Sequence, residues 1–148
     1  MSAVIPPPHN ETQAAVDTLQ RLLHLWGDEG EPQQDWWLLI TDPLRVAEFC
    51  DLYENGSLDA ETKFALMMLI ISSLDDALRD GAASPGTGVA ARIERLLRQE
   101  FVLHLHTIHY WALLDEADPD NVFRVTSLLR GVRADCFKRE YQSWLEWA

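Results

Sequence analysis

The segment DAETKFALMMLIISSLDDALRDG, residues 59–81, contains the longest apolar run of the chain. Its centre, FALMMLII at residues 64–71, is apolar at every position, so a helix built from it must be surrounded by other helices. Asp59 and Glu61 stand in the first turn, where the helix dipole favours carboxylates, and Gly81 suits the residue after a helix. The sequence therefore predicts a central helix over residues 59–80.

Helical patterns also lie on both sides of this segment. Apolar residues recur at spacings of three and four in residues 11–26, after Asp42-Pro43, and from Thr126 or Ser127 onward. Asp42-Pro43 supplies an N-cap and a proline at the first helical position. Residues 89–114 form a further helical pattern, with or without a kink near Phe101.

Interruptions between these patterns define the organisation of the chain. Segments rich in Gly and Pro, at residues 27–35 and 81–88, read as loops. The best strand candidate, VFRVT at residues 122–126, is too short to build a sheet. We predict an all-α single-domain bundle of five or six helices over residues 11–148, preceded by an extended N-terminal arm at residues 1–10.

Size and composition limit the class of protein. The 148 residues suit one domain, and the eight-residue apolar run is far shorter than the roughly 20 residues of a membrane span. The first residues, MSAVIPPPHNE, lack the basic and apolar regions of a signal peptide, so we expect a cytoplasmic protein. Cys50 and Cys136 match no zinc or redox spacing and are expected to be reduced and buried.

The net charge of −12 is unevenly distributed. Residues 1–80 hold four basic and fifteen acidic side chains, a balance of −11, whereas residues 81–148 hold eight and nine, a balance of −1. Nucleic acids and anionic membranes are bound by Lys and Arg, so this balance argues against both as partners. It suits a basic protein partner, or simply a solvated surface.

Three histidines in HLHTIHYW, residues 104–111, raise the question of a metal site. On a helix, His104 lies about 160° from His106 and about 140° from His109, so the three cannot converge. His106 and His109 could supply two ligands beside a distant carboxylate, but H-E-x-x-H is absent. We favour histidines satisfied by hydrogen bonds, and expect no metal and no cofactor.

Three further patterns lack the residues or spacing that a phosphate-binding loop, a calcium loop or a catalytic carboxylate pair requires. The linker GAASPGTG has Thr87-Gly88 where a P-loop needs Lys and Ser or Thr, and no strand precedes it for a dinucleotide fold. The acidic DEADPDN, residues 115–121, lacks the Gly and Glu of a calcium loop. Asp75 and Asp76 are adjacent on the central helix and diverge by about 100°, so we expect solvation or pairing with an Arg of another helix rather than a catalytic dyad. We therefore predict that the protein is not an enzyme.

The acidic loop GDEGEPQQD and the two tryptophans that follow it form the best candidate for a binding surface. An exposed tryptophan beside charge is a common composition of binding hot spots. Burial of both rings under the loop remains the alternative. The predicted partner-binding residues are Asp28, Glu29, Glu31, Asp35, Trp36 and Trp37.

In size, acidity and helicity the whole chain resembles the small immunity proteins that bacteria keep in the cytosol against toxins. The resemblance includes no family motif and assigns no binding residue. It implies a protein-binding module that neutralises a basic toxin by occlusion. The alternatives are a self-associating structural helical protein, with a homodimer as one form, and an enzyme whose site is assembled from distant residues.

Overall fold

A computed structural model describes residue 8, residues 10–24 and residues 40–147, with side chains up to residue 136. Within these ranges the chain forms six α-helices and no strand, and the prediction of an all-α fold is confirmed. The helices are α1 Gln13–Leu23, α2 Val46–Asn55, α3 Ala60–Asp80, α4 Gly88–Gln99, α5 Leu105–Ala112 and α6 Thr126–Trp147, with a 3-10 turn at Pro119–Asn121.

Helix α3 is the centre of the bundle, as the sequence predicts. Every side chain from Phe64 to Leu74 is buried, and α1 and α2 pack against it. Asp59 is its N-cap: the carboxylate accepts a hydrogen bond from the Thr62 amide at 2.8 Å. Gly81 ends the helix at φ 82°, a left-handed conformation that glycine adopts without steric cost.

The other helices pack in sequence around this centre. α2 also contacts α4, α4 contacts α6, and α5 lies along α6. Large side chains from five of the helices fill the interior, and none of the buried residues in the described ranges is ionised; the large side chains include Leu19, Phe49, Phe64, Leu69, Ile93 and Ile108. Cys50 and Cys136 are both buried and free, as expected, and burial raises the pKa of the Cys50 thiol to about 12.

The start of the second helix differs from the prediction. Asp42 is not an N-cap, because its carboxylate accepts a hydrogen bond from the Leu44 amide at 2.9 Å and its carbonyl accepts one from the Arg45 amide. These bonds close a turn, and α2 begins only at Val46. Leu44 therefore precedes the helix, and it is 85% exposed.

The pattern at residues 89–114 is broken into two helices. α4 ends at Gln99, and bonds such as Leu105 amide to Val102 carbonyl, three residues apart, tighten the chain before α5. Tertiary bonds from the Tyr53 hydroxyl to Glu100 and His104 hold this turn against α2. The kink that the sequence left open near Phe101 is therefore a break.

The N-terminal helix is shorter than its pattern. α1 ends with His24 in a left-handed conformation, and Leu22 is 46% exposed although it continues the apolar spacing. Trp26, the last residue of that pattern, and most of the predicted arm at residues 1–10 lie outside the described residues. Residues 122–126 form no strand: they lead into α6.

Candidate functional site

The predicted binding residues Asp28, Glu29, Glu31, Asp35, Trp36 and Trp37 all lie outside the described residues. The structure does describe the residues that flank this segment on both sides. Leu23 is buried, and its carbonyl accepts a hydrogen bond from Arg45 at 2.7 Å. After the segment Ile40 is buried, and the Asp42 amide donates to the Ser73 hydroxyl of α3 at 3.1 Å. Both ends of the acidic segment are thus anchored to the helical core.

Five of the described cations form ion pairs with carboxylates of the chain itself. Their distances run from 2.6 to 3.5 Å, and several pairs join different helices. The pairs are Arg45 with Glu48, Lys63 with Glu100, Arg79 with Asp76 and Asp80, Arg92 with Asp51 and Glu54, and Arg98 with Glu94 and Asp135. The surplus negative charge therefore belongs to other carboxylates.

Several acidic side chains take part in no ion pair among the described residues. On α1 and around the start of α3 these are Asp17, Asp59 and Glu61, all exposed. A second group occupies the loop between α5 and α6: Asp115, Glu116, Asp118 and Asp120. Sequence reasoning noticed this loop only as a failed calcium site. Within the described part of the chain, no set of three His, Cys, Asp or Glu side chains could hold a metal ion.

The loop at residues 113–122 is held by one guanidinium. Arg130 of α6 donates hydrogen bonds to the carbonyls of Ala112, Leu113 and Glu116 at 2.6 to 2.8 Å. The Asp118 carboxylate accepts from the Asp120 amide at 2.9 Å and thereby caps the 3-10 turn. Arg130 thus orders the loop through carbonyl oxygens and pairs with none of its carboxylates; Asp115, Asp118 and Asp120 are exposed, and Glu116 is half-buried.

An aromatic cluster lies at the base of the same loop. Trp111 is 4% exposed, and its ring centroid lies 4.4 Å from that of Phe123. Tyr110 stacks on Phe123 at 6.1 Å and meets Trp111 edge-on at 5.4 Å, yet it remains 53% exposed. Leu113 is left-handed and ends α5, so Leu114 lies beyond the helix although the helical pattern of residues 89–114 includes it.

The three histidines of HLHTIHYW do not form one site. His104 precedes α5 and is fully buried, whereas His106 and His109 lie on α5 and are partly exposed. His104 Nε2 lies 2.7 Å from the Tyr53 hydroxyl, and Phe64 stacks on the imidazole at 6.4 Å. This histidine is a core residue whose Nε2 has a hydrogen-bond partner, whereas its Nδ1 is buried without one. The expected satisfaction by hydrogen bonds therefore holds for one of its two ring nitrogens.

His104 is the inner end of a chain of hydrogen bonds. Tyr53 donates its single hydroxyl proton to Glu100 at 2.7 Å, so His104 Nε2 must carry the proton that it shares with Tyr53. Lys63 donates to the same Glu100 oxygen at 3.2 Å. The outer end reaches solvent, since the Lys63 and Glu100 side chains are 28% and 35% exposed. The chain joins α2, α3 and the turn between α4 and α5.

Burial and charge set the protonation states of this chain. Desolvation lowers the pKa of His104 to about 3 against a weaker effect of Glu100, and burial raises the pKa of Tyr53. Desolvation also opposes ionisation of Glu100, but the hydrogen bonds from Tyr53 and Lys63 together outweigh it and lower that pKa. The imidazole of His104 is neutral and has no exposed surface, so no substrate can reach it. We therefore infer that this network stabilises the fold.

The carboxylates of Asp75 and Asp76 have different hydrogen-bond and ion-pair partners. The Asp75 carboxylate accepts a hydrogen bond from the Val125 amide at 3.0 Å, just before α6, and burial raises its pKa. Asp76 pairs with Arg79 on the surface at 3.2 Å, on the same helix rather than another. No dyad forms, and Asp75 is an anchor for the N-terminus of α6.

A groove of about 450 Å³ lies where the linker 81–87 meets α2 and α4. Its lining is mostly small and apolar, with Pro43, Leu44, Ala47, Ala77, Ala83 and Val89 contributing. None of the described charged side chains lines it. The linker that resembles a phosphate loop in glycine content therefore borders an apolar groove.

Comparison with known proteins found no match for the chain. Neither the protein-family models, nor the curated proteins, nor the solved structures contain a match to it. Among the described helices, none combines the length and apolar character needed to cross a membrane.

Proposed function

We propose that this chain is a protein-binding module that recognises a basic protein partner and neutralises it by occlusion, as a bacterial immunity protein does with a toxin. One observation carries the proposal: in the described part of the chain, carboxylates on α1, around the start of α3 and in the loop between α5 and α6 take part in no ion pair, while five of the cations are held in internal ion pairs. These carboxylates contribute to the net charge of −12. The proposed compartment is the cytoplasm.

Such a charge distribution affects mainly the rate at which the two proteins associate. Uncompensated exposed carboxylates attract a cationic surface over about one Debye length, which is about 10 Å at 0.1 M salt. Steering of this kind raises association rates more than it slows dissociation. The same field repels phosphates of nucleic acids and anionic lipids.

The predicted residues of the acidic segment belong to this proposal. Asp28, Glu29, Glu31 and Asp35 would steer the partner, and Trp36 or Trp37 would contribute apolar burial after docking. Support comes from the anchoring on either side: the Leu23 carbonyl is bound by Arg45, and the Asp42 amide by Ser73.

The test begins with co-purification of the tagged chain from its own host and identification of the bound protein. The pair is then reconstituted from purified components. We expect a basic partner, a complex of fixed stoichiometry, inhibition of the partner's activity, and an association rate that falls between 0.05 and 1 M salt, as expected for charge steering. An acidic partner, or a rate independent of salt, would contradict the proposal.

Two classes of variant then separate steering from burial. Reversal of Asp28, Glu29 and Glu31 to Lys should slow association, and the isosteric Asn and Gln replacements should give a smaller change in the same direction. Trp36→Ala or Trp37→Ala should instead speed dissociation, at a cost on the order of 2 kcal/mol if the ring is a hot spot.

Self-association is the second candidate function, and a different observation favours it. Leu44 is 85% exposed and lies on the rim of the apolar groove beside the linker. A second copy could cover this surface. Sedimentation velocity over a hundredfold range of concentration decides between the two: a dimer that Leu44→Ser dissociates would favour self-association, and a monomer throughout would exclude it.

A further inference from the structure

Two large apolar side chains stand exposed at one end of the bundle. Tyr110 is 53% exposed and Leu114 is 45% exposed, and only four positions separate them in the chain. Scattered exposed leucines are ordinary on protein surfaces. A tyrosine and a leucine at the two ends of one short turn, beside an acidic loop, form a more specific surface.

The ring of Tyr110 is held in place before any partner arrives. One face stacks on Phe123 at 6.1 Å and 22°, and Trp111 packs edge-on against the ring at 5.4 Å and 76°. Trp111 itself is fixed in the core at 4% exposure. An immobilised tyrosine loses little conformational entropy on binding, which is one reason why tyrosine is frequent at hot spots.

The neighbouring loop is equally well ordered. The contacts of Phe123 with Tyr110 and Trp111 bring its two ends together, and Thr126 donates a hydrogen bond to the Trp111 carbonyl at 2.8 Å. Arg130 binds three carbonyls on the inner side of the loop. The segment 113–122 is thus a closed surface loop whose base is the aromatic cluster.

The charge around the two apolar side chains is acidic on its outer side. Residues 110–130 contain four carboxylates and two arginines, a balance of −2, and one arginine, Arg130, is directed at backbone carbonyls. The outward charges are Asp115, Glu116, Asp118 and Asp120, opposed by Arg124.

We propose that Tyr110, Leu114 and the acidic loop 113–122 form a docking surface for an arginine-containing segment of the basic partner. An arginine side chain suits both halves of the surface. Its planar guanidinium stacks on the open part of the Tyr110 ring and forms paired hydrogen bonds to carboxylates, whereas a lysine ammonium does neither equally well. An aliphatic side chain next to the arginine packs on Leu114. The inference rests on the proposed function and assigns it a place and a partner chemistry.

The probe is a capped twelve-residue peptide with four arginines and three leucines, added to the full-length chain labelled with nitrogen-15. We expect amide shifts confined to residues 107–126. The peptide with lysine in place of arginine should bind more weakly. Tyr110→Ser should weaken binding by about thirtyfold, the loss typical of an interfacial hot spot.

Matched variants distinguish binding at this surface from nonspecific attraction to acidic or exposed apolar side chains elsewhere on the chain. Leu114→Ser, at a side chain 45% exposed, should weaken binding, whereas Leu22→Ser, at one 46% exposed on α1, should not. The double variant Asp115→Asn, Asp120→Asn should weaken binding about threefold at low salt and have no effect at 1 M. Asp17→Asn with Glu61→Gln removes the same charge elsewhere and should have little effect. Circular dichroism checks that each variant is folded.

The outcomes distinguish this inference from the proposed function. Peptide shifts located elsewhere in the chain, equal affinity of the lysine peptide, equal effects of the two leucine variants, or no binding at millimolar peptide would each overturn the docking surface. The proposed function would stand in those cases if the partner recovered from the host is basic and its association depends on salt. It would fall with an acidic partner, whatever the peptide does.

Discussion

Replacing His104 by phenylalanine should make the protein more resistant to mild acid. His104 is fully buried, and desolvation lowers its pKa to about 3 from the ordinary value of 6.5. In the unfolded chain the same imidazole takes up a proton near pH 6.5. Between these values the unfolded state binds more protons than the folded state, so stability falls as the pH falls.

The magnitude follows from the interval between the two pKa values. Each pH unit below 6.5 costs about 1.4 kcal/mol, so this group should remove about 2 kcal/mol between pH 7 and pH 5 and on the order of 4 to 5 kcal/mol by pH 3. The range from pH 7 to 5 is the informative one, because most carboxylates ionise below it. Phenylalanine has no proton to gain and preserves the ring that stacks on Phe64.

The measurement is urea unfolding at pH 7 and pH 5, with the free energy extrapolated to water. The parent should lose about 2 kcal/mol more than His104→Phe over this range. Proton NMR of the folded parent should show that the His104 ring stays neutral down to pH 5.

An equal loss of stability in the parent and in His104→Phe would refute the reasoning. So would titration of the His104 ring near pH 6.5 in the folded protein. Either result would mean that the imidazole is hydrated, and that its hydrogen bond to Tyr53 does not lie in the closed core.

Three further changes test the fold. Leu69→Asp buries an unpaired charge at a fully buried position and should abolish the cooperative melt, whereas Leu69→Met should cost less than about 1.5 kcal/mol. Asp59→Ala removes the N-cap of α3 and should lower the free energy of unfolding by about 1 kcal/mol, with Asp59→Asn close to the parent. Asp75→Ala leaves the Val125 amide without its hydrogen-bond acceptor and should lower the free energy of unfolding, measured by chemical denaturation, by about 1 to 3 kcal/mol. Asp76→Ala breaks only a surface ion pair and should lower it by less than about 1 kcal/mol.

Local chemistry explains why helix α3 could be read from the sequence. Its apolar run, its capping aspartate and Gly81 act within a few residues of each other, so their consequences do not depend on the rest of the fold. The burial of Cys50 and Cys136 follows in the same way from residue type and spacing. The central helix and the all-α class were therefore predictable.

Other features depend on partners that are distant in the chain. The Asx turn at Asp42 competes with the cap that the sequence favours, and Tyr53 reaches across about 50 positions to hold the break between α4 and α5. The same hydrogen bond places His104 in the core, although its two neighbours in HLHTIHYW remain partly exposed. Periodicity alone cannot predict such bonds, because it describes one helix at a time.

The candidate docking surface shows the same division. Composition identifies DEADPDN as an acidic turn, but the exposure of Tyr110 and Leu114 arises because Leu113 ends α5 and Phe123 folds back onto Trp111. Arg130, near the start of α6, binds the loop's carbonyls rather than its carboxylates. Charge is a property of the residues themselves, whereas the surface on which it is displayed depends on contacts between helices.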